Sequence, residues 1–195
     1  MSTLDKQKWD KKYVDKPQLL RPRDASAVLK EFLPKGEGKI AIDLACGSGR
    51  NSLYLAQNGY VVDAVDIAAI AMDALKAEAL RSGLSEKVIG ILQDLDTFNI
   101  TPERYDLVLM SNFLDRGLIE RSKAGLKKGG CYIVETYMSD EMNEKENSKA
   151  SNLLEAGELR SIFSEGYKIV HYDEYENEDY EIYRMKKQVI VVEKL

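Results

Sequence analysis

The chain has 195 residues, a formal net charge of -5 from 28 basic and 33 acidic side chains, and two cysteines. That length is enough to bury a core and suits one domain, while the acidic balance argues against a general nucleic-acid binder, which needs a basic face. No apolar run approaches the roughly 20 residues of a membrane span, "MSTLDKQKWDKKYVDK" lacks the apolar centre of a secretory signal, and Cys46 and Cys131 form neither a CxxC nor a metal-ligand spacing, so reduced thiols in a cytoplasmic setting are expected.

Residues 1–24 are charged, with Trp9 and Tyr13 as isolated aromatics. Lys6, Lys8, Lys11, Lys12 and Lys16 read as a solvated, flexible terminus, the alternative being a local basic surface for RNA. "DASAVLKEFLP" (24–34) reads as a short helix. Asp24 or Ser26 caps it, Val28, Leu29, Phe32 and Leu33 form its apolar face, and Pro34 with Gly36 stops it. From Lys39 the chain alternates. Apolar strands are predicted at "KIAIDLA" (39–45), "YVVDAVD" (60–66), "KVIGILQD" (87–94), "RYDLVLMS" (104–111) and "GCYIVETY" (130–137). Helices are predicted at "GRNSLYLAQNG" (49–59), at "IAAIAMDALKAEALRSG" (67–83), where Ile67, Ile70, Ala71, Ala74 and Leu75 recur at helical spacing, and more weakly at "DRGLIERSKAGL" (115–126).

The polar stretch 139–152 reads as a long mobile loop, and "EAGELRSIF" (155–163) as a short helix. "YKIVHYDEY" (167–175) and "MKKQVIVVEKL" (185–195), with no helix between them, are predicted to pair antiparallel across the acidic "ENEDYEIY". Tyr167, Tyr172, Tyr175, Tyr180 and Tyr183 suit strands, and His171, the one histidine, reads as structural. Strand–helix alternation with near-continuous apolar strands predicts a doubly wound α/β sheet, mostly parallel, covered on both faces.

In "AIDLACGSGRN" the first strand runs into Gly47 and Gly49, which let the backbone turn tightly and approach a ligand. The following helix presents free N–H groups at the same place, the end of the central strands where such folds bind ligands. Asp66 ends the second strand 17 residues past Gly49, a spacing that suits an acid on ribose hydroxyls. It is preferred over Asp63, which lies deeper in the strand. A dinucleotide fingerprint requires GxGxxG, and Ser52 stands at its third glycine. Asp43, just before the turn, repels phosphate and suits a cation. Together these point to a nucleoside cofactor with a cationic end.

At these residues the sequence resembles the class I S-adenosylmethionine-dependent methyltransferases. Their acidic, glycine-rich loop is matched by Asp43-Leu44-Ala45-Cys46-Gly47-Ser48-Gly49, with Ala45 in place of the first glycine. The resemblance implies a Rossmann-like, seven-stranded sheet of order 3-2-1-4-5-7-6 with an antiparallel last strand. It implies S-adenosylmethionine as cofactor, S-adenosylhomocysteine as product, and a cofactor set of Asp43, Ala45, Gly47, Gly49, Arg50, Asn51, Asp66, Ile67, Asp94, Leu95, Ser111 and Asn112. In that set Asp66 meets the ribose, Asp94 the adenine amine and Leu95 the adenine ring. "WDKKY", "GRNSLYLAQNGYVVDAVDIA" and "NLLEAGELRSIF" look like the TehB-type tellurite-resistance and thiopurine-methyltransferase-like branch, in which the N-terminal segment folds over the cofactor; Trp9, Tyr13 and Arg21 would then lie near the site.

The expected organisation is one methyltransferase domain: a lid and helix at 1–38, a cofactor-binding core at 39–137, and an acceptor-side loop, helix and hairpin at 138–195. The acceptor pocket is expected from Ser111, Asn112, Phe113, Glu135, Thr136, Tyr137 and the lid. Its occupant is expected to be a small molecule, in that branch a chalcogen or thiol species. "SNFL" lacks the Pro-Pro-aromatic signature of amino-methylating enzymes. Membrane and nucleic-acid partners are disfavoured, and the chain is expected as a monomer or homodimer with no metal. No catalytic side chain is assigned. The alternatives are a noncatalytic cofactor-binding protein, a nicotinamide-dependent oxidoreductase, and a protein or RNA methyltransferase.

Overall fold

In the computed structural model the structure describes residues 3–145, 150–177 and 183–195. The elements run α1 (Thr3–Asp15), α2 (Ala27–Phe32), β1 (Ile40–Leu44), α3 (Arg50–Gln57), β2 (Val61–Asp66), α4 (Ala69–Arg81), β3 (Val88–Leu92), β4 (Tyr105–Ser111), α5 (Arg116–Ser122), β5 (Leu126–Tyr137), α6 (Glu158–Ile162), β6 (Tyr167–Glu176) and β7 (Lys186–Lys194), with short 3-10 turns at Pro17–Leu20, Lys123–Gly125 and Ala150–Asn152.

All seven strands form one sheet of order β3-β2-β1-β4-β5-β7-β6. The first five strands pair parallel, and β7 pairs antiparallel with both β5 and β6. Alternate side chains point to opposite faces, and both faces are buried. Ala41, Val62, Leu107 and Ile133 pack under Leu29, Leu55, Met72 and Leu75 of α2 to α4. Ile42, Val65, Val108 and Val134 pack under Leu118, Ile119, Leu159 and Phe163 of α5 and α6. This is why the central strands read as unbroken apolar runs. No helix among the described residues is long and apolar enough to cross a membrane.

The antiparallel hairpin stands where the sequence places it, while its connection in part, including Tyr180, lies outside the described residues. So do residues 146–149 of the polar stretch. His171 stacks on Phe32 of α2, ring centroids 4.5 Å apart, and so holds the hairpin to the helical layer. Ser26, not Asp24, caps α2, accepting from the Leu29 N–H. The predicted helix at 115–126 ends as an α-helix at Ser122 and tightens into a 3-10 turn; Asp115 caps it, its carboxylate accepting from the Leu118 N–H at 2.8 Å.

The largest departure is α1. The sequence offers it two aromatics and no apolar stripe, so propensity alone does not form it. Tertiary contacts do. Asp10 Oδ1 accepts from the Ile70 N–H at 3.3 Å, at the first turn of α4, whose own preceding residue, Ala68, provides no side-chain cap. A carboxylate there satisfies an otherwise orphaned donor and faces the positive end of the helix dipole.

Candidate functional site

The site is built at the carboxyl ends of β1 and β2. Beyond Leu44 the backbone enters the left-handed region at Ala45 (φ 59°), Gly47 (φ 56°) and Gly49 (φ 81°). Ala45 holds that conformation with a Cβ, a local strain that the first glycine of the motif would relieve. The two glycines serve different purposes. A Cβ on Gly49 would lie 2.1 Å from Leu75 Cδ1, so this glycine lets α4 close against the loop. A Cβ on Gly47 would meet only the Tyr13 hydroxyl, at 3.0 Å, so this glycine keeps open the backbone surface beneath α1. Gly49→Ala is therefore expected to cost about 3 kcal/mol, from left-handed strain and core overlap together. Gly47→Ala is expected to cost about 1 kcal/mol. Urea denaturation of the two variants measures the difference, and equal costs would contradict this division.

Asp66 ties the loop to the next strand. Its Oδ2 accepts from the Gly47 N–H and its Oδ1 from the Ala68 N–H, both at 2.8 Å. Burial raises the Asp66 pKa, and backbone donors from Ala68, Gly47 and Ile67 oppose that rise. Asp63 is held instead by Tyr105 Oη at 3.0 Å and Arg104 Nε at 3.3 Å.

Asp43 is buried, 2% exposed, and accepts from Ser52 Oγ at 2.6 Å. Burial pushes its pKa up to about 7; the Ser52 hydrogen bond and the charge of Arg50 pull the other way without prevailing. Ser52, which the fingerprint registers only as a missing glycine, is thus the brace of this acid. Asn51 is also a brace, its Oδ1 accepting from the Ser26 N–H at 3.0 Å and fastening α2 to the loop. Arg50 is half-buried at the start of α3, whose preceding Gly49 offers no side-chain cap. Cys46 sits against Met72, Sγ to Sδ 3.7 Å, and burial drives its thiol pKa well up, which suits an inert packing residue. Both cysteines are free thiols.

The N-terminal segment lies over this loop. Besides Tyr13 above Gly47, Ser48 Oγ donates to the Leu19 carbonyl at 3.2 Å. Burial, and then the charge of Asp66, raise the Tyr13 pKa. Trp9 and Tyr13 lie 6.3 Å apart on the same helix. Sequence reasoning missed Asp10, whose contact with Ile70 spans 60 positions and leaves no local signal.

Ile67 is half-buried between Asp66 and Ala68. Asp94 is half-buried beyond β3 and shapes a turn, its Oδ1 accepting from the Asp96 N–H at 2.9 Å, while Asp96 is exposed. The Leu95 side chain is 1% exposed and belongs to the core beneath the sheet. The Leu95 carbonyl accepts from Arg121 at 2.5 Å. At the ends of β4 and β5, Ser111 Oγ donates to Glu135 Oε2 at 3.1 Å, and the Tyr175 hydroxyl donates to Glu135 Oε1. Glu135 is 1% exposed. Asn112 is exposed, turns the chain at φ 57°, and donates its N–H to the Glu135 carbonyl at 2.7 Å. The structure thus brings Asp43, Asp66, Gly47 and Tyr13 together, with Ser111, Glu135 and Tyr175 at the ends of neighbouring strands.

This geometry has close counterparts. The chain is 38% identical over 110 residues to a probable protein arginine N-methyltransferase 6 of Arabidopsis thaliana, covering 50% of this chain and 24% of the relative. It is 32% identical over 99 residues to ribosomal RNA small subunit methyltransferase C of Alcanivorax borkumensis, covering 48% and 30%. The crystal structure of TehB from Haemophilus influenzae superposes with a TM-score of 0.72 at 23% identity, over 86% of this chain and 60% of that one. A SAM-dependent methyltransferase of Methanosarcina mazei superposes with a TM-score of 0.70 at 19% identity, over 89% and 99%. The chain therefore spans less than a third of the two curated relatives and well over half of the Haemophilus protein. The fold is that of the S-adenosylmethionine-dependent methyltransferases, and the profile described as tellurite resistance protein TehB matches residues 5–189. With nearly the whole chain inside that match, the protein belongs to the TehB family of class I S-adenosylmethionine-dependent methyltransferases.

Proposed function

We propose that this chain transfers the methyl group of S-adenosylmethionine to a small-molecule acceptor, with chalcogen and thiol species as the first class to test. The observation that carries this reading is the pair of buried acids flanking Gly47, Asp43 and Asp66. One is held by backbone donors; the other is buried, accepts from Ser52 and feels the charge of Arg50. Asp66 fits as acceptor for the two ribose hydroxyls, and Gly47 leaves room for the ligand to lie on the backbone. Asp43 fits as counter-charge to the cationic methionine end, supported by Ser52. Asp94 fits the adenine amine from the turn after β3. Arg50 and Ile67 border the same loop.

When bound, the cofactor supplies a methyl group already activated by a positive sulfur, so the chain's own work is chiefly to orient the reactants and exclude water. Tyr13 and α1 cover the glycine loop and do the excluding. Ser111, Asn112, Glu135 and Tyr175 fit as a border of the acceptor pocket, which would then draw on the ends of β4 and β5 in the cofactor core (39–137) as well as on the acceptor-side segment (138–195). The free thiols of Cys46 and Cys131 suit the cytoplasm.

The test is isothermal titration of the purified chain with S-adenosylhomocysteine, with NADH as comparator. Micromolar affinity for the first and none for the second is expected. A preference for NADH would return the site to the oxidoreductases, and binding without turnover of any thiol, selenium or tellurium acceptor would favour a noncatalytic role.

A further inference from the structure

The face of α1 turned away from the glycine loop has a chemistry of its own. Gln7, Lys8, Lys11, Lys12, Asp15 and Lys16 line an open cleft of about 500 Å³ along it. Lys8 and Lys12 stand four residues apart, so their side chains leave the helix about 6 Å apart along its axis, and Lys16 follows directly on the helix end at Asp15. Lys8 and Lys11 are a further pair at helical spacing. Like charges so placed oppose the helix that carries them. Among the described residues Asp15 is the one carboxylate lining the cleft, in a chain whose acidic side chains outnumber the basic ones. Lys12 lies over Trp9, its ammonium 4.0 Å from the ring centroid. Burial first, and then the charges of Lys145, Lys16 and Lys8, hold its pKa below the usual lysine range. Lys145 comes from the loop after β5, so positive charge reaches this face from two segments of the chain.

We propose that this cleft is an anion-binding site that takes a phosphoryl group or a short polyphosphate, and that filling it tightens α1 over the glycine loop. An anion between Lys8, Lys12 and Lys16 removes the repulsion that opposes α1. The same helix holds Asp10 on the first turn of α4 and Tyr13 above Gly47. A ligand that favours the ordered helix therefore favours the covered loop, and the coupling is reciprocal. The second half of the proposal rests on the cofactor reading above; the first does not.

The experiment titrates inorganic pyrophosphate into the full chain at constant ionic strength, then repeats the S-adenosylhomocysteine titration with and without pyrophosphate. Lys12→Gln/Lys16→Gln is the test variant. One pyrophosphate per chain is expected, with the affinity for S-adenosylhomocysteine rising about fivefold in its presence. Both effects should vanish in the variant, whose affinity for S-adenosylhomocysteine without pyrophosphate should lie at or above that of the parent, because the substitutions already remove part of the repulsion. The proposal is overturned if potassium chloride of matched ionic strength does as much, or if the effect survives in the variant. Binding of a single-stranded RNA oligonucleotide at far lower concentration, with a steep salt dependence, would also overturn it and assign the lysines to nucleic acid. If S-adenosylhomocysteine does not bind at all, the cofactor reading fails, and the pyrophosphate titration still decides the anion site.

Discussion

Asp43→Asn should unfold at a higher temperature than the parent protein at pH 8 and bind S-adenosylmethionine far more weakly. Asp43 is buried and its pKa stands at about 7, against 3.8 for an unperturbed carboxyl. The sign follows from proton counting. Below pH 3.8 both folded and unfolded chains carry the proton. Between 3.8 and about 7 only the folded chain keeps it, so stability falls as pH rises through that window. Above it the folded chain carries a buried charge, a loss of roughly 4 kcal/mol at 1.36 kcal/mol for each pH unit. Asparagine is neutral at every pH, and its carbonyl can still accept from Ser52. The variant should gain on the order of 3 kcal/mol at pH 8, a rise of about 10 °C in melting temperature for a chain of this size, and little at pH 4. Melting curves at the two pH values check this. An equal gain at both would show that the effect is packing and not charge.

The same carboxyl makes cofactor affinity depend on pH. A cationic ligand end favours ionised Asp43, so below pH 7 binding must first expel its proton. Affinity for S-adenosylmethionine should rise by up to about tenfold per pH unit between 5.5 and 7 and level off above. In Asp43→Asn it should be flat and roughly 10- to 100-fold weaker, the worth of a charge-assisted contact. Calorimetry in buffers of different ionisation enthalpy reads the released proton directly. A pH-dependent affinity that is lost in Asp43→Asn would assign the acid to binding; a flat profile in the parent would leave it a packing residue braced by Ser52.

The parts of this molecule legible in its sequence are those where one segment carries its own physics. The apolar strands, the paired glycines and the acid closing β2 each declare themselves within a few residues, because two-face burial and left-handed backbone impose local composition. The family resemblance then supplied strand order. What stayed hidden depends on distant partners. α1 lacks an apolar stripe and is held by contacts to α4 and the glycine loop. Ser52 looks like a broken fingerprint until its hydroxyl is seen on Asp43. Glu135 and Tyr175 meet across 40 positions because β7 inserts between β5 and β6 in the sheet. Leu95 follows a loop aspartate, and only the fold shows that its side chain is buried in the cluster that holds Val65 and Leu118.

Asp66→Ala should abolish measurable S-adenosylhomocysteine binding and destabilise the chain, and Asp63→Asn should separate these two effects. In Asp66→Ala the Gly47 and Ala68 N–H groups both lose their acceptor. A buried donor left unmade costs about 1–3 kcal/mol, so roughly 3 kcal/mol is expected for the pair, allowing for partial access of water to the loop. If Asp66 is the ribose acceptor as proposed, binding suffers twice, from loss of that acceptor and from slackening of Gly47, and a fall of more than about 100-fold is expected. Asp63 sits in the same strand, is as deeply buried, and also anchors two groups, Tyr105 and Arg104. Its substitution should lower the urea midpoint comparably. Its partners, however, lie away from the glycine loop, so affinity should change by less than about threefold. If Asp63→Asn weakens binding as much as Asp66→Ala, the loss follows from general loosening of β2 and the ribose role of Asp66 falls. If only Asp66→Ala loses affinity, the carboxylate at the strand's end is acting on the ligand, because stability has been matched between the two.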